Sequence, residues 1–265
     1  MIHTKLQKPK INISTDKNYK SVKKMVQESY LNTVCAEARC PNIYECWNRK
    51  TATLMILGDT CTRACGFCSV KTGKPTWNDP LEPIRVAQAV KKMGLRHVVI
   101  TSVDRDDLKG DFGASIWADT IKQTKKVNPG CTVEVLTPDF KGFEPALKIV
   151  FDSKPDIFSH NVECVERISK AVRAQANWQR SLGVLEKSIQ HGLRTKTGIM
   201  VGLGEEVEEV KKTMRQVVDL GVQIFTIGQY LQPTKNHLKV EEYISKEQFE
   251  LYKDCLLYTS DAADE

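Results

Sequence analysis

The sequence predicts an α/β fold: a partial, three-quarter barrel of the TIM type with about six βα units, preceded by a cysteine-rich extension. Two observations predict it. Short apolar runs rich in β-branched residues alternate with segments whose apolar residues recur at helical spacing, as in parallel strands joined by crossover helices. Polar residues also follow each apolar run, at the strand ends where α/β proteins place their sites. Six such units curve into an open barrel rather than a closed one.

The predicted strands and helices follow one another along residues 51–234. The first strand, at residues 51–58, runs straight into a loop that holds three cysteines. Five more strands follow, at residues 97–103, 132–137, 156–163, 195–202 and 223–231. The helices between them are marked by spaced apolar residues such as Ile84, Ala87, Val90 and Met93. We expect residues 235–254 to begin a C-terminal extension.

Length and composition bound the class of protein. With 265 residues, of which 41% are hydrophobic and 27% charged, the chain has the composition of an ordinary globular protein. It contains no apolar run of about 18 residues and no apolar segment after Met1, so we expect neither a membrane span nor a secretory signal. The net charge of +6 is spread along the chain without a basic block, which argues against a nucleic-acid partner.

The N-terminal segment is polar and basic. Residues 1–30 contain Pro9 and few periodic apolar positions, so we expect an extended or partly ordered arm within an N-terminal region of residues 1–50. A transit peptide is the alternative, although Asp16 and the absence of Arg argue against it. The expected compartment is therefore the cytoplasm, with the mitochondrion or the plastid as the alternative in a eukaryote.

Nine cysteines in a chain that we expect to stay inside the cell indicate metal or redox use rather than disulfides. Six of them form two triplets, Cys35-x4-Cys40-x5-Cys46 and Cys61-x3-Cys65-x2-Cys68. Three soft ligands suit an iron–sulfur cluster or zinc, and a cluster with three protein ligands keeps one metal corner open for a small molecule. Zinc modules usually complete a set of four ligands, which argues against a zinc knuckle. The strand between the triplets argues against one site with six ligands.

The second triplet, with Phe67 in the aromatic position before its last cysteine, resembles the motif of radical S-adenosylmethionine (SAM) enzymes. Ferredoxins use Cys-x2-Cys-x2-Cys and zinc ribbons use pairs, so this spacing is specific. Together with the upstream triplet, the resemblance narrows to the lipoyl synthase family and covers roughly residues 30–254. The further segments that carry it are Ala38–Asn42, Leu57–Arg63, Val70–Pro75, Val99–Asp107, Glu134–Asp139, His160–Glu163, Met200–Glu205 and Thr226–Pro233.

The resemblance implies a radical SAM fold and two 4Fe-4S clusters. The SAM cluster would be held by Cys61, Cys65 and Cys68, and an auxiliary cluster that gives up sulfur by Cys35, Cys40 and Cys46. The implied reaction inserts two sulfur atoms at carbons 6 and 8 of an octanoyl chain on a carrier-protein lysine, through a radical derived from SAM. The implied carrier is the glycine cleavage H protein or a 2-oxoacid dehydrogenase E2 domain, and the implied reductant is a ferredoxin or flavodoxin.

Two other functions stay open on the sequence alone. One is another sulfur-inserting radical SAM enzyme of the biotin synthase type. The pattern of that family, however, lacks the cysteine triplet that this sequence has upstream of the second loop. The other is an iron–sulfur carrier or scaffold without radical chemistry, which the aromatic position of the loop and the polar strand ends disfavour.

The resemblance also assigns SAM contacts to residues after the predicted strands. Beside Phe67, the expected contacts are Thr101, Ser102 and Asp104 for the methionine amino group, Asn161 and Glu163 for the ribose, Arg173 for the carboxylate, and Met200 to Gly202 near the adenine. Each of these polar residues is also explained as a strand-end or helix cap. For the charged side chains of Arg63 and Lys71, we expect solvent-facing positions.

The end of the sequence departs from the family pattern. Members end with an Arg-Ser-Ser-Tyr segment whose serine completes the auxiliary cluster, and nothing here matches it. After Asp254 the residues resemble a translated sequencing adapter. We therefore expect residues 255–265 to be a non-native tail that interrupts a terminal helix beginning near Phe249, and we expect Cys255 and Ser260 to have no role.

Overall fold

Nine strands are formed by the described residues, which are 13–29, 31–40, 42–49 and 51–261 of this computed structural model. In chain order they are β1 (Asn32–Thr33), β2 (Thr53–Ile56), β3 (Thr60–Cys61), β4 (Lys71–Thr72), β5 (His97–Ser102), β6 (Thr132–Leu136), β7 (Ile157–Ser159), β8 (Thr195–Val201) and β9 (Ile224–Gln229). The main sheet has the order β1-β2-β5-β6-β7-β8-β9, and β3 pairs with β4 separately.

Six strands of the main sheet pair in parallel with their neighbours, in the order β2, β5, β6, β7, β8 and β9. The six predicted strands are therefore confirmed. The order begins at β1 and ends at β9, and over the described residues the sheet is therefore open, as a partial barrel requires. Their carboxyl ends meet at one edge of the sheet, which is where the predicted polar residues gather.

Ten helices are formed by the described residues. They are α1 (Lys17–Glu28), α2 (Val34–Glu37), α3 (Ile43–Asn48), α4 (Glu82–Met93), α5 (Ala114–Val127), α6 (Glu144–Asp152), α7 (Glu166–Val172), α8 (Trp178–Gln190), α9 (Val207–Asp219) and α10 (Lys246–Asp261). The five crossover helices that the sequence predicts correspond to α4, α5, α6, α8 and α9. None of the helices in the described ranges is long and apolar enough to span a membrane.

The prediction of an extended N-terminal arm is wrong for residues 17–28. The carboxylate of Asp16 accepts hydrogen bonds from the backbone N–H groups of Asn18 at 2.9 Å and Tyr19 at 3.0 Å, which caps α1. Tyr19, Val22 and Val26 lie on one helical face, and both valines are buried. This apolar stripe is narrow and flanked by lysines, so its helical spacing was missed. Residues 1–12 lie outside the described residues.

The first cysteine segment is fixed to the sheet through β1. Asn32 pairs with Met55 and Thr33 with Leu54 in an antiparallel ladder. The Thr33 hydroxyl then accepts a hydrogen bond of 3.2 Å from the N–H of Ala36, which caps α2. Backbone pairing thus holds the N-terminal extension beside β2, the strand that leads into the second cysteine loop.

The terminal helix does not stop near Cys255. Helix α10 continues to Asp261, so the predicted interruption is wrong, because the residues after Asp254 extend the same helical backbone. Tyr252 is 2% exposed, and Cys255 and Leu256 pack against the same apolar cluster as Val210 and Met214 of α9. The side chain of Ser260 and residues 262–265 lie outside the described part, and the non-native origin of the tail stays a prediction.

Candidate active site

A cavity of about 240 Å³ opens at the carboxyl ends of β2, β5, β6 and β7. Both cysteine segments reach it. The second loop contributes Cys61, Cys65, Phe67 and Cys68, and the strand ends contribute Thr101, Ser102, Asp104, Asn161 and Glu163, with Arg173 beside them. Val34 and Ala38, on either side of Cys35, line it from the first segment. The structure therefore brings most of the predicted site residues to one place.

The second cysteine loop is held by backbone hydrogen bonds along its length. Cys61 pairs with Thr72 between β3 and β4, and Gly73 donates to the Cys61 carbonyl at 2.9 Å. The Ala64 N–H donates to the side chain of Gln175 at 2.8 Å, and the Gly66 N–H to the Val172 carbonyl at 2.9 Å. These contacts give the loop a defined shape.

The thiols of this loop sit in surroundings that disfavour a bare thiolate. Burial raises the pKa of Cys61 to about 11 and that of Cys65 to about 12, and burial also raises the pKa of Cys68. Nearby positive charge is needed to stabilise three such thiolates together, and a bound metal supplies it. Two backbone amides, of Arg63 at 3.4 Å and Asp104 at 3.3 Å, already point at the sulfur of Cys61.

The first triplet lies on two short helices and the turn between them. Cys35 is on α2 and buried, Cys46 is on α3, and the N–H of Cys40 donates to the Cys35 carbonyl at 3.1 Å. Burial raises the pKa of the Cys40 thiol, and the neighbouring thiols of Cys35 and Cys46 raise it further.

Both triplets have the chemistry that a 4Fe-4S cluster requires. The six cysteines of the two triplets are thiols rather than disulfides. Across the described ranges, no three Cys, His, Asp or Glu side chains converge tightly enough to surround a single metal ion. Cys61, Cys65 and Cys68 line the cavity, and three thiols in that position suit separate corners of a cluster, where each thiolate binds its own iron. Each triplet also has one cysteine fewer than the four ligands that structural zinc sites use.

The expectation that Arg63 faces solvent is wrong. Its side chain is 4% exposed and donates two hydrogen bonds of 2.9 Å to Asp106 and one of 2.7 Å to Asp139. A third carboxylate, that of Asp104, lies 3.3 Å away. Burial opposes the charge of Arg63, but its hydrogen bonds to Asp106 and the charge of Asp104 raise its pKa overall. Three carboxylates at two strand ends thus hold one residue of the cysteine loop. For Lys71, solvent exposure is confirmed.

Asp104 lies where the cysteine loop meets the end of β5. Its carboxylate is 3.9 Å from the sulfur of Cys61, and burial raises its pKa to about 6 despite the lowering effect of Arg63. The hydroxyls of Thr101 and Ser102 donate to the carbonyls of Leu136 and Val103, both at 2.8 Å. These two hydroxyls therefore serve backbone groups, as strand-end caps do.

Arg173 is a buried cation on the other side of the cavity. Its guanidinium donates to the carbonyls of Asn161 at 3.1 Å and Val162 at 3.4 Å, and to the Ser181 hydroxyl at 3.4 Å. Burial raises the pKa of the Glu163 carboxyl, while Arg173 and the Asn161 side chain counteract that rise. Glu163 also adopts a positive φ of 69°, a backbone conformation that residues other than glycine rarely adopt.

Of the described residues predicted to contact SAM, Met200 and Gly202 do not line the cavity. Met200 packs in an apolar cluster that includes Phe67, Leu203 and Tyr230. The carbonyl of Gly202 accepts a hydrogen bond of 2.9 Å from the N–H of Glu241. A Cβ at Gly202 would lie 2.3 Å from the carbonyl oxygen of Glu242, so close packing requires glycine there.

The sequence analysis missed part of the polar framework around the cavity. It gave no role to Asp139 beyond a strand end, and it did not connect His160 with Arg173. His160 is buried, with Nδ1 2.9 Å from the Thr137 carbonyl and Nε2 3.1 Å from the Ser181 hydroxyl. A usable signal was present, since one arginine in a cysteine loop with several aspartates at neighbouring strand ends indicates a buried ion network.

Comparison with known proteins decides the family. A model of the Radical SAM superfamily matches residues 55–217. The lipoyl synthase of Rubrobacter xylanophilus is 55% identical over 246 residues, which cover 92% of this chain and 76% of that protein. The mitochondrial lipoyl synthase of Nematostella vectensis is 51% identical over 250 residues, covering 93% and 86%. The chain belongs to the lipoyl synthase family.

Membership of the lipoyl synthase family answers the questions that the sequence left open. Lipoyl synthases are radical SAM enzymes that insert sulfur, so their cofactors are SAM and 4Fe-4S clusters, and the biotin synthase and carrier alternatives are excluded. Among solved structures, methylornithine synthase matches the fold with a TM-score of 0.61 at 11% identity, covering 92% of this chain and 68% of that protein. That likeness supports the predicted fold class for this lipoyl synthase family member.

Proposed function

We propose that the chain makes the lipoyl cofactor by inserting two sulfur atoms at carbons 6 and 8 of an octanoyl chain on a carrier-protein lysine. The observation that carries the proposal is that both cysteine segments reach one cavity. Cys61, Cys65 and Cys68 line it, and so do Val34 and Ala38 next to Cys35. Hydrogen abstraction and sulfur transfer at one acyl chain need both sulfur-rich centres beside the same substrate.

We assign the two triplets different roles. Cys61, Cys65 and Cys68 hold the cluster that binds SAM, and Cys35, Cys40 and Cys46 hold the auxiliary cluster. When bound, the clusters and SAM supply the electron, the radical and the sulfur. The protein contributes position: the Cys61 loop is fixed by its backbone contacts and by Arg63, and the first triplet is fixed by the pairing of β1 with β2.

Charged and polar groups of the cavity suit the ends of SAM. Arg173 carries a buried positive charge whose hydrogen bonds go to carbonyls and a hydroxyl, so it retains attraction for a ligand carboxylate. We assign Asp104, which lines the cavity, to the amino group of SAM, and Asn161 with Glu163, which line it as well, to the ribose hydroxyls. For Phe67, Thr101, Ser102, Met200 and Gly202, the expected SAM contact remains a proposal.

The remaining lining of the cavity suits an acyl chain. Met55, Val70, Val103 and Leu136 present apolar surface to it. An apolar wall favours a saturated chain by the hydrophobic effect and keeps water away from a reactive radical. The proposed reaction uses no nucleophile–base pair, because an unactivated C–H bond has no acid–base route at neutral pH.

The substrate arrives on a protein in this proposal. The carrier is an octanoylated glycine cleavage H protein or a 2-oxoacid dehydrogenase E2 domain, and the electron comes from a reductant such as ferredoxin or flavodoxin. A reducing compartment suits the two triplets, whose six cysteines are thiols rather than disulfides. We assign the reaction to the cytoplasm, or to the mitochondrion or plastid if the source is eukaryotic.

Anaerobic reconstitution with iron counting tests the assignment. We expect about eight irons per chain, and about four in either Cys61→Ala or Cys35→Ala, because each substitution removes one 4Fe-4S site. Cys131→Ala is the matched control, since this thiol lies outside both triplets, and its iron content should equal that of the unsubstituted chain.

Activity separates the two sites. With an octanoyl-lysine peptide, the unsubstituted chain should cleave SAM, and any sulfur-containing peptide that mass spectrometry detects should depend on the first triplet. Cys35→Ala should still cleave SAM without adding sulfur, whereas Cys61→Ala should do neither. About four irons in the unsubstituted chain, or SAM cleavage by Cys61→Ala, would contradict the proposal.

A further inference from the structure

The chain that follows β9 returns across the second cysteine loop. We call residues 230–240 the strap. The N–H of Leu238 donates to the carbonyl of Gly66 at 3.0 Å. The Leu238 side chain packs so closely that a Cβ on Gly66 would lie 2.9 Å from its Cγ. A glycine between the second and third cysteines therefore lets the strap touch the loop.

His237 in the strap contacts a cysteine of the loop directly. Its Nε2 lies 3.0 Å from the carbonyl oxygen of Cys68, and because a carbonyl can only accept, Nε2 carries the proton and donates. Its Nδ1 lies 2.8 Å from the Thr234 hydroxyl. That hydroxyl oxygen also accepts from the N–H of Asn236 at 3.3 Å, which leaves its own hydrogen for the ring. Both ring nitrogens are thus engaged.

The strap is itself anchored to the barrel. The hydroxyl of Tyr230, a buried residue at the end of β9, donates to the Leu238 carbonyl at 2.8 Å. The side chain of Gln232 donates to the carbonyl of His237 at 2.9 Å. The position of the imidazole is therefore transmitted from the last strand and is not set by the loop alone.

The two halves of the cysteine loop have different supports. Arg63, in the first half, is held by the carboxylates of Asp106 and Asp139. In the second half, the carbonyls of Gly66 and Cys68 accept hydrogen bonds from the strap, from the N–H of Leu238 and the imidazole of His237 respectively. Outer contacts of this kind orient metal ligands and commonly change metal affinity by about tenfold or more when they are removed.

We propose that His237 is a positioning residue that fixes the Cys68 end of the loop, so that retention of the SAM cluster depends on the strap. The proposal rests on the proposed function, because it takes Cys61, Cys65 and Cys68 as cluster ligands. The imidazole acts on the backbone of Cys68, and the strap transmits the position of β9 to the third cysteine.

Iron release tests the proposal in a chain that carries Cys35→Ala, Cys40→Ala and Cys46→Ala, so that all iron belongs to the second loop. His237→Phe keeps the ring volume and removes the donor. We expect it to lose iron to a chelator about tenfold faster than the parent chain. His237→Gln, whose amide can still donate, should lie between the two. Lys235→Ala, exposed in the same strap, is the matched control and should match the parent.

Hydrogen exchange on the full chain before reconstitution gives a second readout that does not depend on metal. Amides of residues 61–70 should exchange faster in His237→Phe than in Lys235→Ala. Thr234→Val and Leu238→Ala, which each remove a different strap contact, supply the same comparison if His237→Phe fails to fold.

Equal exchange and equal iron release in His237→Phe and the parent would overturn the role of the strap. Failure of the unsubstituted loop to take up iron would instead count against the proposed function, because the exchange comparison reports on the strap alone. An equal effect of Lys235→Ala would also overturn the proposal, since it would show that any change in the strap disturbs the loop.

Discussion

Arg63 joins three segments of the chain through one side chain. It belongs to the cysteine loop, while its carboxylate partners follow β5 and β6. Asp139 is fully buried, so its charge is compensated inside the protein. Hydrogen bonding to Arg63 outweighs the effect of burial and lowers the pKa of Asp139 to about 2.

Replacing Arg63 by Ala should therefore destabilise the protein strongly. The change removes the hydrogen-bonded partner of the buried Asp139, which keeps only the longer contact to Arg180 at 3.4 Å among its ion pairs within the described residues. Breaking a buried ion pair typically costs about 3 to 5 kcal/mol of unfolding free energy. Urea denaturation of the metal-free chain measures it. Lys71→Ala is the control, because its ion pair with Asp59 is exposed and should contribute less than about 1 kcal/mol. Similar losses in the two variants would show that the Arg63 network does not carry this energy.

His160 predicts a pH dependence of stability. Burial disfavours the charged imidazole and the Arg173 charge adds to this, so its pKa falls from 6.5 to about 4. Between these values the unfolded chain binds a proton that the folded chain does not. The stabilisation is complete above pH 6.5 and is lost as the pH falls towards 4.

Unfolding free energies at pH 7 and pH 5 test this. The unsubstituted chain should lose about 2 kcal/mol more than His160→Gln over that interval. The difference between the two proteins reports on the imidazole alone. Asp104, whose pKa is raised to about 6, stabilises the folded state more as the pH falls, and it does so in both proteins. Parallel pH profiles would exclude a buried neutral His160.

The positions of the cysteines could be predicted from the sequence, whereas the ion pairs around the cavity could not. Motif spacing identified both triplets because ligand chemistry fixes both residue type and spacing. The partners of Arg63 could not be derived in that way. They lie 43 and 76 residues away along the chain, and only the sheet order brings them together.

At the level of elements, apolar runs predicted the six parallel strands because strands such as β2, β6 and β8 are buried on both faces, while β9, which is only partly buried, still carries apolar residues such as Ile224 and Phe225. The same reasoning missed α1, whose apolar stripe is narrow, and α7, which has seven residues and two buried positions, Ser169 and Val172. Short helices lack enough periodic positions to be distinguished from loops. Tertiary packing, rather than local pattern, makes them helical.

Helix α10 should contribute to stability through Tyr252. This side chain is 2% exposed and shares an apolar cluster with residues of α9 and β8. Tyr252→Ala should cost about 3 kcal/mol or more, as for other large buried aromatic residues. The neighbouring Leu251→Ala is the matched control, because Leu251 is 60% exposed. Equal thermal denaturation midpoints for the two variants would mean that α10 is not docked on α9.

The molecule as a whole places its cavity at one edge of a sheet whose two halves pack in different apolar clusters. One cluster contains Leu54, Ile100 and Val135, and the other contains Ile199 and Val201. A ligand that filled the cavity would contact strand ends from the first group and Glu163 next to the second. Binding therefore favours the state in which both halves are folded.

SAM should accordingly stabilise the whole reconstituted protein. At a concentration about 100-fold above its dissociation constant, the gain should be about 2.7 kcal/mol, measured as a rise in the thermal midpoint. Cys61→Ala should show no such rise, because in our proposal it removes a ligand of the cluster that binds SAM. A rise of equal size in that variant would indicate that SAM binds elsewhere.

The short strand β1 determines how the spacing of the two triplets responds to substitutions and insertions in the chain. Asn32 and Thr33 pair with Met55 and Leu54 through main-chain groups, so this ladder sets the position of the first triplet relative to β2, the strand that leads into the second triplet. Side-chain changes along the ladder leave that pairing intact. Inserting one residue into β1 would shift its register and turn its paired side chains to the opposite face. The distance between the two triplets is therefore robust to point substitution and sensitive to insertion.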